Sequence, residues 1–201
     1  MITMKITYQF DFLNQLDTQN ALTLKDGFTV RKPDLDDCLK GIQTVIEWNK
    51  SSPYTKCFRT LHVLINDTEY GSFVEVDHEK KSVFLSLNVF NFMYDYRQDR
   101  AYTRLVFGSR TDTLTLSEFT SFFFWHELGH IVHASLLFPG SLSLFDKMEG
   151  YVHRYGRYYD HNDGLHPARD DNDLDVQRAY RQIPSEIFAD QFAWNQLKNQ
   201  R

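Results

Sequence analysis

An α+β fold is predicted for this 201-residue chain. Short β-prone runs dominate residues 5 to 90, where apolar and polar residues tend to alternate. Residues 33–50 instead carry apolar residues at three- and four-residue spacing, 114–138 form a capped, largely apolar helix pattern, and a last helix follows Pro184. Strand patterns followed by helix patterns argue for an α+β arrangement. No internal repeat, low-complexity tract or Gly/Ser linker divides the sequence, so residues 1–201 are read as one domain. Hydrophobic residues make up 42%, which is enough to build a core and excludes a disordered chain.

Taken in order, "KITYQF" (5–10) alternates as a half-buried strand does. "ALTLKDGFTVRK" (21–32) reads as a hairpin turning at Lys25-Asp26-Gly27. "PDLDDCLKGIQTVIEWNK" (33–50) reads as an amphipathic helix. Pro33 and Asp34 suit its first turn, and Leu35, Leu39, Ile42, Val45 and Ile46 form its apolar face. "TLHVLIN" (60–66) is a strand, and "GSFVEVDHEKKSVFLSLNVF" (71–90) a hairpin turning between Asp77 and Lys81. Residues 91–113 are polar, with Tyr and Arg, and are expected to be irregular. A long helix is then well marked. Thr115 is its N-cap and Glu118 completes a capping box, with Leu114 and Phe119 placed for a hydrophobic staple. The helix should run to about Phe138, where Pro139-Gly140 stops it. Its apolar residues fall on nearly every side, so it should be central and buried. Residues 139–180 are expected to run over the surface. A last helix follows Pro184, with Ile187, Phe188, Phe192, Ala193 and Leu197 available for packing.

Several function classes are disfavoured by composition. A net charge of −5 gives no basic face for nucleic acid. Cys38 and Cys57 form no CxxC pair, and two thiols cannot build a four-sulfur site. They suit a reduced compartment. The segment "MITMKITYQFDFLNQ" lacks the apolar run of a signal peptide. Residues 119–138 are long enough to span a bilayer, but three His and one Glu near their middle would be costly in lipid, and no second span accompanies them. A soluble, cytoplasmic protein is expected.

The chemistry concentrates in "WHELGH" (125–130). On a helix, His126 and His130 lie one turn apart on one face and can share a metal ion. Glu127, about 100° around from His126, is placed to reach a water activated by that ion, the position of a general base in zinc peptidases. Chance gives this pattern about 0.01 times in a chain of this composition. The alternative is a pair of hydrogen-bonded core histidines. Gly129 permits close approach by a neighbouring backbone.

Two protein ligands are one short of a catalytic zinc site. His133 is excluded as the third, because seven helical residues rise about 10.5 Å; a place in the core, the cleft or behind a ligand suits it better. In "PSEIFADQFA" (184–193), Glu186 and Asp190 point the same way from an otherwise apolar helix. A core-facing Glu needs a partner, and an ion held by His126 and His130 would supply one. Asp190, one turn on, could accept the other ring N–H of a ligand histidine. The alternative is an exposed pair of acids favoured by the helix N-terminus. Beside the first motif, the ligand reading is preferred.

With "HELGHIVH" followed by "SEIFADQFA", the chain resembles the ImmA/IrrE family of zinc metallopeptidases, of gluzincin type. The family pattern places Glu-x-x-Ala-Asp/Asn-x-Phe-Ala on a helix after the His-Glu-x-x-His helix. Glu186, Ala189, Asp190, Phe192 and Ala193 match it, whereas Phe188 stands where many members carry a second acid. The resemblance implies a zincin-like domain, a small sheet packed against the long helix and further helices. It implies Glu186 as third zinc ligand and Glu127 as catalytic base. It also implies an edge strand able to hold an extended peptide, a place that "SVFLSLNVF" (82–90) fits. The match covers about the last half of the chain, and residues 1–60 lie outside it.

"GYVHRYGRYYDHNDGLHPARDDNDLD" (150–175) is rich in Tyr, His and Asp. From Asp171 the acids alternate as in a calcium loop, but the turn Gly and closing Glu are missing. A donor to the developing oxyanion is needed for peptide hydrolysis. His153, Tyr155, Tyr158 and His161 are all candidates, and spacing does not choose among them. The expected function is a zinc-dependent endopeptidase with Zn2+ as cofactor and a protein or peptide as substrate. A transcriptional regulator is the kind of substrate the resemblance implies. The competing reading is a metal-bound sensor or interaction module that does not cleave.

Overall fold

The computed structural model describes residues 4–23, 27–68, 71–98, 101–108, 114–160 and 174–200. Strand β1 (Lys5–Gln9) comes first, then the antiparallel pair β2 (Ala21–Thr23) and β3 (Thr29–Arg31). Helix α1 (Lys32–Asn49) follows directly; the Arg31 amide donates to Asp34 Oδ2 (3.1 Å), and Pro33 lies in the first turn. After a short 3-10 turn come β4 (Leu61–Asn66), β5 (Phe73–Asp77) and β6 (Ser82–Asn88).

The larger sheet has the order β1-β4-β6-β5. β1 and β6 run parallel to β4, one on each side of it, and β5 closes the sheet antiparallel to β6. This order follows from the side chains. β4 buries Leu61, Val63 and Ile65, and β6 buries Val83, Leu85 and Leu87, as strands flanked on both sides do. β1 exposes most of its length, and β5 is half-buried or exposed throughout. The expectation that residues 82–90 form a peptide-holding edge is therefore corrected. Residues 82–88 are an inner strand with both ladders filled, Val89 already begins a helix, and the open edge beside the cleft belongs to β5.

Two further corrections concern helices. Residues 91–113 were expected to be irregular, yet α2 (Val89–Arg97) and α3 (Ala101–Phe107) occupy most of the described part. The Asn88 side chain caps α2 by accepting from the Asn91 amide (3.0 Å), and Val89, Phe92 and Met93 give it a buried stripe. Residues 139–180 were expected to wander over the surface, yet they hold α5 (Leu144–Asp160) and α6 (Leu174–Tyr180). Ser143 caps α5: its hydroxyl accepts from the Asp146 amide, while Asp146 Oδ2 accepts from the Ser143 amide. Phe145, Met148, Tyr151 and Tyr155 then form one buried face. The acid series from Asp171 lies partly outside the described residues.

Helix α4 (Leu116–Leu137) is the centre of the molecule. The Thr115–Glu118 capping box forms as expected. Phe119, Phe122, Phe124, Trp125, Leu128 and Ile131 are fully enclosed, each contributing about 1.5–3 kcal/mol by leaving water. Among the described residues, no helix is long and apolar enough to cross a membrane.

Two glycines set how closely its neighbours approach. A Cβ at Gly41 of α1 would meet the Ser117 carbonyl oxygen at 2.3 Å; in the space it leaves, Ser121 Oγ donates to the Gly41 carbonyl (3.0 Å). Gly129 does the same for α7 (Pro184–Gln200), where an added Cβ would lie 2.9 Å from Ala189 Cα. Backbone cannot yield there as a side chain could. Gly129→Ala is therefore expected to destabilise the fold by about 1–3 kcal/mol through overpacking, against the roughly 1 kcal/mol that helix propensity alone would add. Denaturant unfolding measures this; a stabilised variant would mean that the contact is loose. Of the residues expected to pack from α7, Phe192, Ala193 and Leu197 are buried, whereas Ile187 is 40% exposed.

Candidate metal centre

The Gly129–Ala189 contact brings the first turn of α7 against the middle of α4. His126 and His130 project from one face of α4, and Glu186 from the facing side of α7. The two Nε2 atoms are 3.3 Å apart. Glu186 Oε2 lies 3.3 Å from His126 Nε2, and its Oε1 lies 3.6 Å from His130 Nε2. An ion with bonds of about 2.0–2.1 Å in tetrahedral geometry needs ligand atoms about 3.3–3.4 Å apart. The imidazole nitrogens stand at that spacing, a different Glu186 oxygen lies 3.3 or 3.6 Å from each of them, and together the three side chains could hold a metal ion. Nitrogen and carboxylate donors suit first-row divalent metals.

Asp190, one turn beyond Glu186, meets the far side of His126: its Oδ1 is 2.8 Å from Nδ1. A carboxylate only accepts, so Nδ1 carries the proton and Nε2 faces His130 and Glu186. Arg181, just before α7, donates to the same Asp190 oxygen (2.9 Å) and sits 3.9 Å from Glu186. His130 is held differently, with its Nδ1 3.1 Å from the Tyr151 hydroxyl of α5.

Burial and charge set the ionisation here. Burial would pull the His126 imidazolium down, but Asp190 and Glu186 outweigh it and raise it well above the ordinary value. Burial would raise the Glu186 carboxyl, but the two imidazoles and Arg181 outweigh it and hold it well below the usual carboxylate range. Burial dominates at His130 and lowers it. Glu127, 8% exposed, is pushed up to about 7, first by burial and then by the Glu186 charge, against the pull of His126 and Arg181. A carboxyl poised near neutrality suits proton transfer in both directions.

A cleft of about 290 Å³ opens over these groups, with His126, Glu127, His130 and Glu186 in its lining. β5 forms one wall through Phe73 and Val74; Met148 and Tyr155 of α5 line it too, with Tyr180 of α6. The four residues expected to do the chemistry are thus together, and Asp190 is where a partner of His126 should be. Among the oxyanion candidates, Tyr155 lines the cleft. His153 and Tyr158 are exposed on α5 and are absent from the lining. His161 lies outside the described residues.

Sequence reasoning missed Arg181 and Tyr151. Nothing in "RQIP" marks Arg181. Tyr151 had a signal: in a helix capped by Ser143, it falls on the same face as Met148 and Tyr155. His133, set aside as a ligand, lies 3.2 Å from the same Tyr151 hydroxyl and stacks on Phe188 (4.3 Å between ring centroids). No family model, curated protein or solved structure matches this chain, so the chemistry of the centre is argued from its own residues.

Proposed function

We propose that the chain is a zinc-dependent endopeptidase with zincin-like architecture, as its resemblance to the ImmA/IrrE family implies. The observation that carries this reading is the spacing of His126, His130 and Glu186, with Glu127 beside them in an open cleft. Zinc bound by these three would act as a Lewis acid on water and on a peptide carbonyl. Glu127 takes the proton from the attacking water and passes it to the leaving amine, which its position near neutrality suits. Asp190 holds His126 in the tautomer that leaves Nε2 for the ion. Of the donors the sequence offered, Tyr155 lines the cleft and is assigned to the carbonyl oxygen. The exposed flank of β5 offers backbone groups to an extended substrate.

Purified protein should bind one zinc per chain and cleave an unstructured protein such as casein or a peptide library. A strong chelator should abolish cleavage, and added zinc should restore it. Zinc bound without any cleavage would favour the sensor reading; no zinc bound at micromolar concentration would remove both.

A further inference from the structure

We propose that Tyr151 is the positioning residue for His130, and that His133 completes it as the acceptor of the phenol proton. The inference rests on the zinc reading above and deepens it. One hydroxyl serves two imidazoles, at 3.1 Å from His130 Nδ1 and 3.2 Å from His133 Nδ1. With His130 Nε2 turned to an ion, its Nδ1 must carry a proton and donate it to the phenol oxygen. The phenol has a single proton of its own. That proton is then directed to His133 Nδ1, 3.2 Å away, which accepts it unprotonated at that nitrogen. The proposed order is His130 Nδ1–H to Tyr151 Oη–H to His133 Nδ1.

The packing holds each member in place. Tyr151 is buried on the inner face of α5. The His133 ring lies flat on Phe188 of α7, with centroids 4.3 Å apart and planes 10° apart. Its other ring neighbours are Tyr151 at 5.4 Å and Tyr155 at 5.7 Å. The hydrogen bonds thus tie α4 to α5 around one ligand, and the Phe188 stack adds α7. The two ligand histidines are served unequally: His126 meets a carboxylate, and His130 a neutral phenol whose oxygen is made a better acceptor by donating onward. His133 and Phe188, neither of them a ligand, acquire a use in orienting one.

The test is zinc affinity, measured by competition with a chromophoric chelator. Tyr151→Phe removes the hydroxyl and keeps the ring, and should weaken binding about 10–100-fold. Tyr158→Phe, on the exposed face of the same helix and outside the cleft lining, should leave affinity within about 3-fold of the parent. His133→Phe keeps a ring on Phe188 but loses the acceptor; its loss should be smaller than that of Tyr151→Phe. Added to Tyr151→Phe it should cost nothing more, since the route to His130 is already gone. Nitrogen-15 spectra of the unsubstituted zinc-loaded protein should show His130 protonated at Nδ1 and His133 at Nε2. Unchanged affinity in Tyr151→Phe, additive losses, or a His133 protonated at Nδ1 would each overturn the proposal while leaving the zinc reading intact. A parent protein that binds no zinc would overturn both.

Discussion

Glu127→Gln should keep its zinc and lose peptide hydrolysis by about 10²–10⁴-fold, the usual worth of a positioned general base. Glutamine matches the shape of glutamate, so the cleft should not collapse. It cannot accept a proton from water. Glu127 is in the cleft lining but outside the group of three that could hold a metal ion, so metal content should match that of the parent. The loss should fall on kcat more than on KM, because the proton moves only on the way to the transition state. In the parent, activity should rise with pH as the Glu127 carboxyl ionises. That carboxyl sits at about 7 in the metal-free protein, and a bound cation lowers it. The rising limb should therefore lie below pH 7 in the zinc-loaded enzyme and be absent from whatever activity the variant retains. Steady-state assays on one fluorogenic peptide, with metal analysis of the same samples, check all three points. A variant that cleaves as fast as its parent would remove Glu127 from the reaction.

The site was legible because its constraints are local or chemically extreme. His126 and His130 announce themselves by helical spacing, and Glu186 by being an acid on an apolar helix face. Their convergence also left a trace in the sequence, since Gly129 and Ala189 are the small residues that let α4 and α7 touch. What was missed depends on tertiary context. Arg181 reaches Asp190 across nine residues and a turn, and no spacing rule covers that. Tyr151 became visible only once α5 was seen to be a helix, and its Tyr, His and Arg content had read as loop. In fact the Ser143–Asp146 cap and the Phe145, Met148, Tyr151, Tyr155 stripe were there to be read. The β6 error was of another kind. An inner strand and an edge strand can both follow a hairpin, and Val83, Leu85, Leu87 and Val89 alternate with Phe84, Ser86 and Asn88 as either kind of strand does.

Glu186→Gln should damage the metal-free fold as well as metal binding. The carboxylate is 1% exposed and lies between His126, His130 and Arg181. Its neighbours hold it ionised in spite of burial, and it in turn helps Asp190 keep His126 charged. Neutralising it leaves the desolvated His126 imidazolium and the Arg181 guanidinium sharing the Asp190 carboxylate, with an amide in place of the second one. Breaking one side of such a buried pair costs about 3–5 kcal/mol. The sign of the pH dependence follows from the two shifts. His126 is raised on folding, so its contribution is whole below its ordinary value of 6.5 and is lost as pH rises through the folded one. Glu186 is depressed, so its contribution is whole above its ordinary value of 4.5 and is lost as pH falls through the folded one. Both are intact between about pH 4.5 and 6.5. The stability gap between parent and variant should be widest in that window and should shrink on the alkaline side as His126 sheds its proton. Denaturant unfolding of both metal-free proteins across the range reads this directly. A gap that is flat with pH, or that grows above neutrality, would mean that Glu186 is not held by the imidazolium. Zinc affinity should fall by more than the 10–100-fold expected for an orienting partner, because a ligand atom itself is lost, and the equilibrium-dialysis isotherm of the variant should show no saturable binding where the parent is already full.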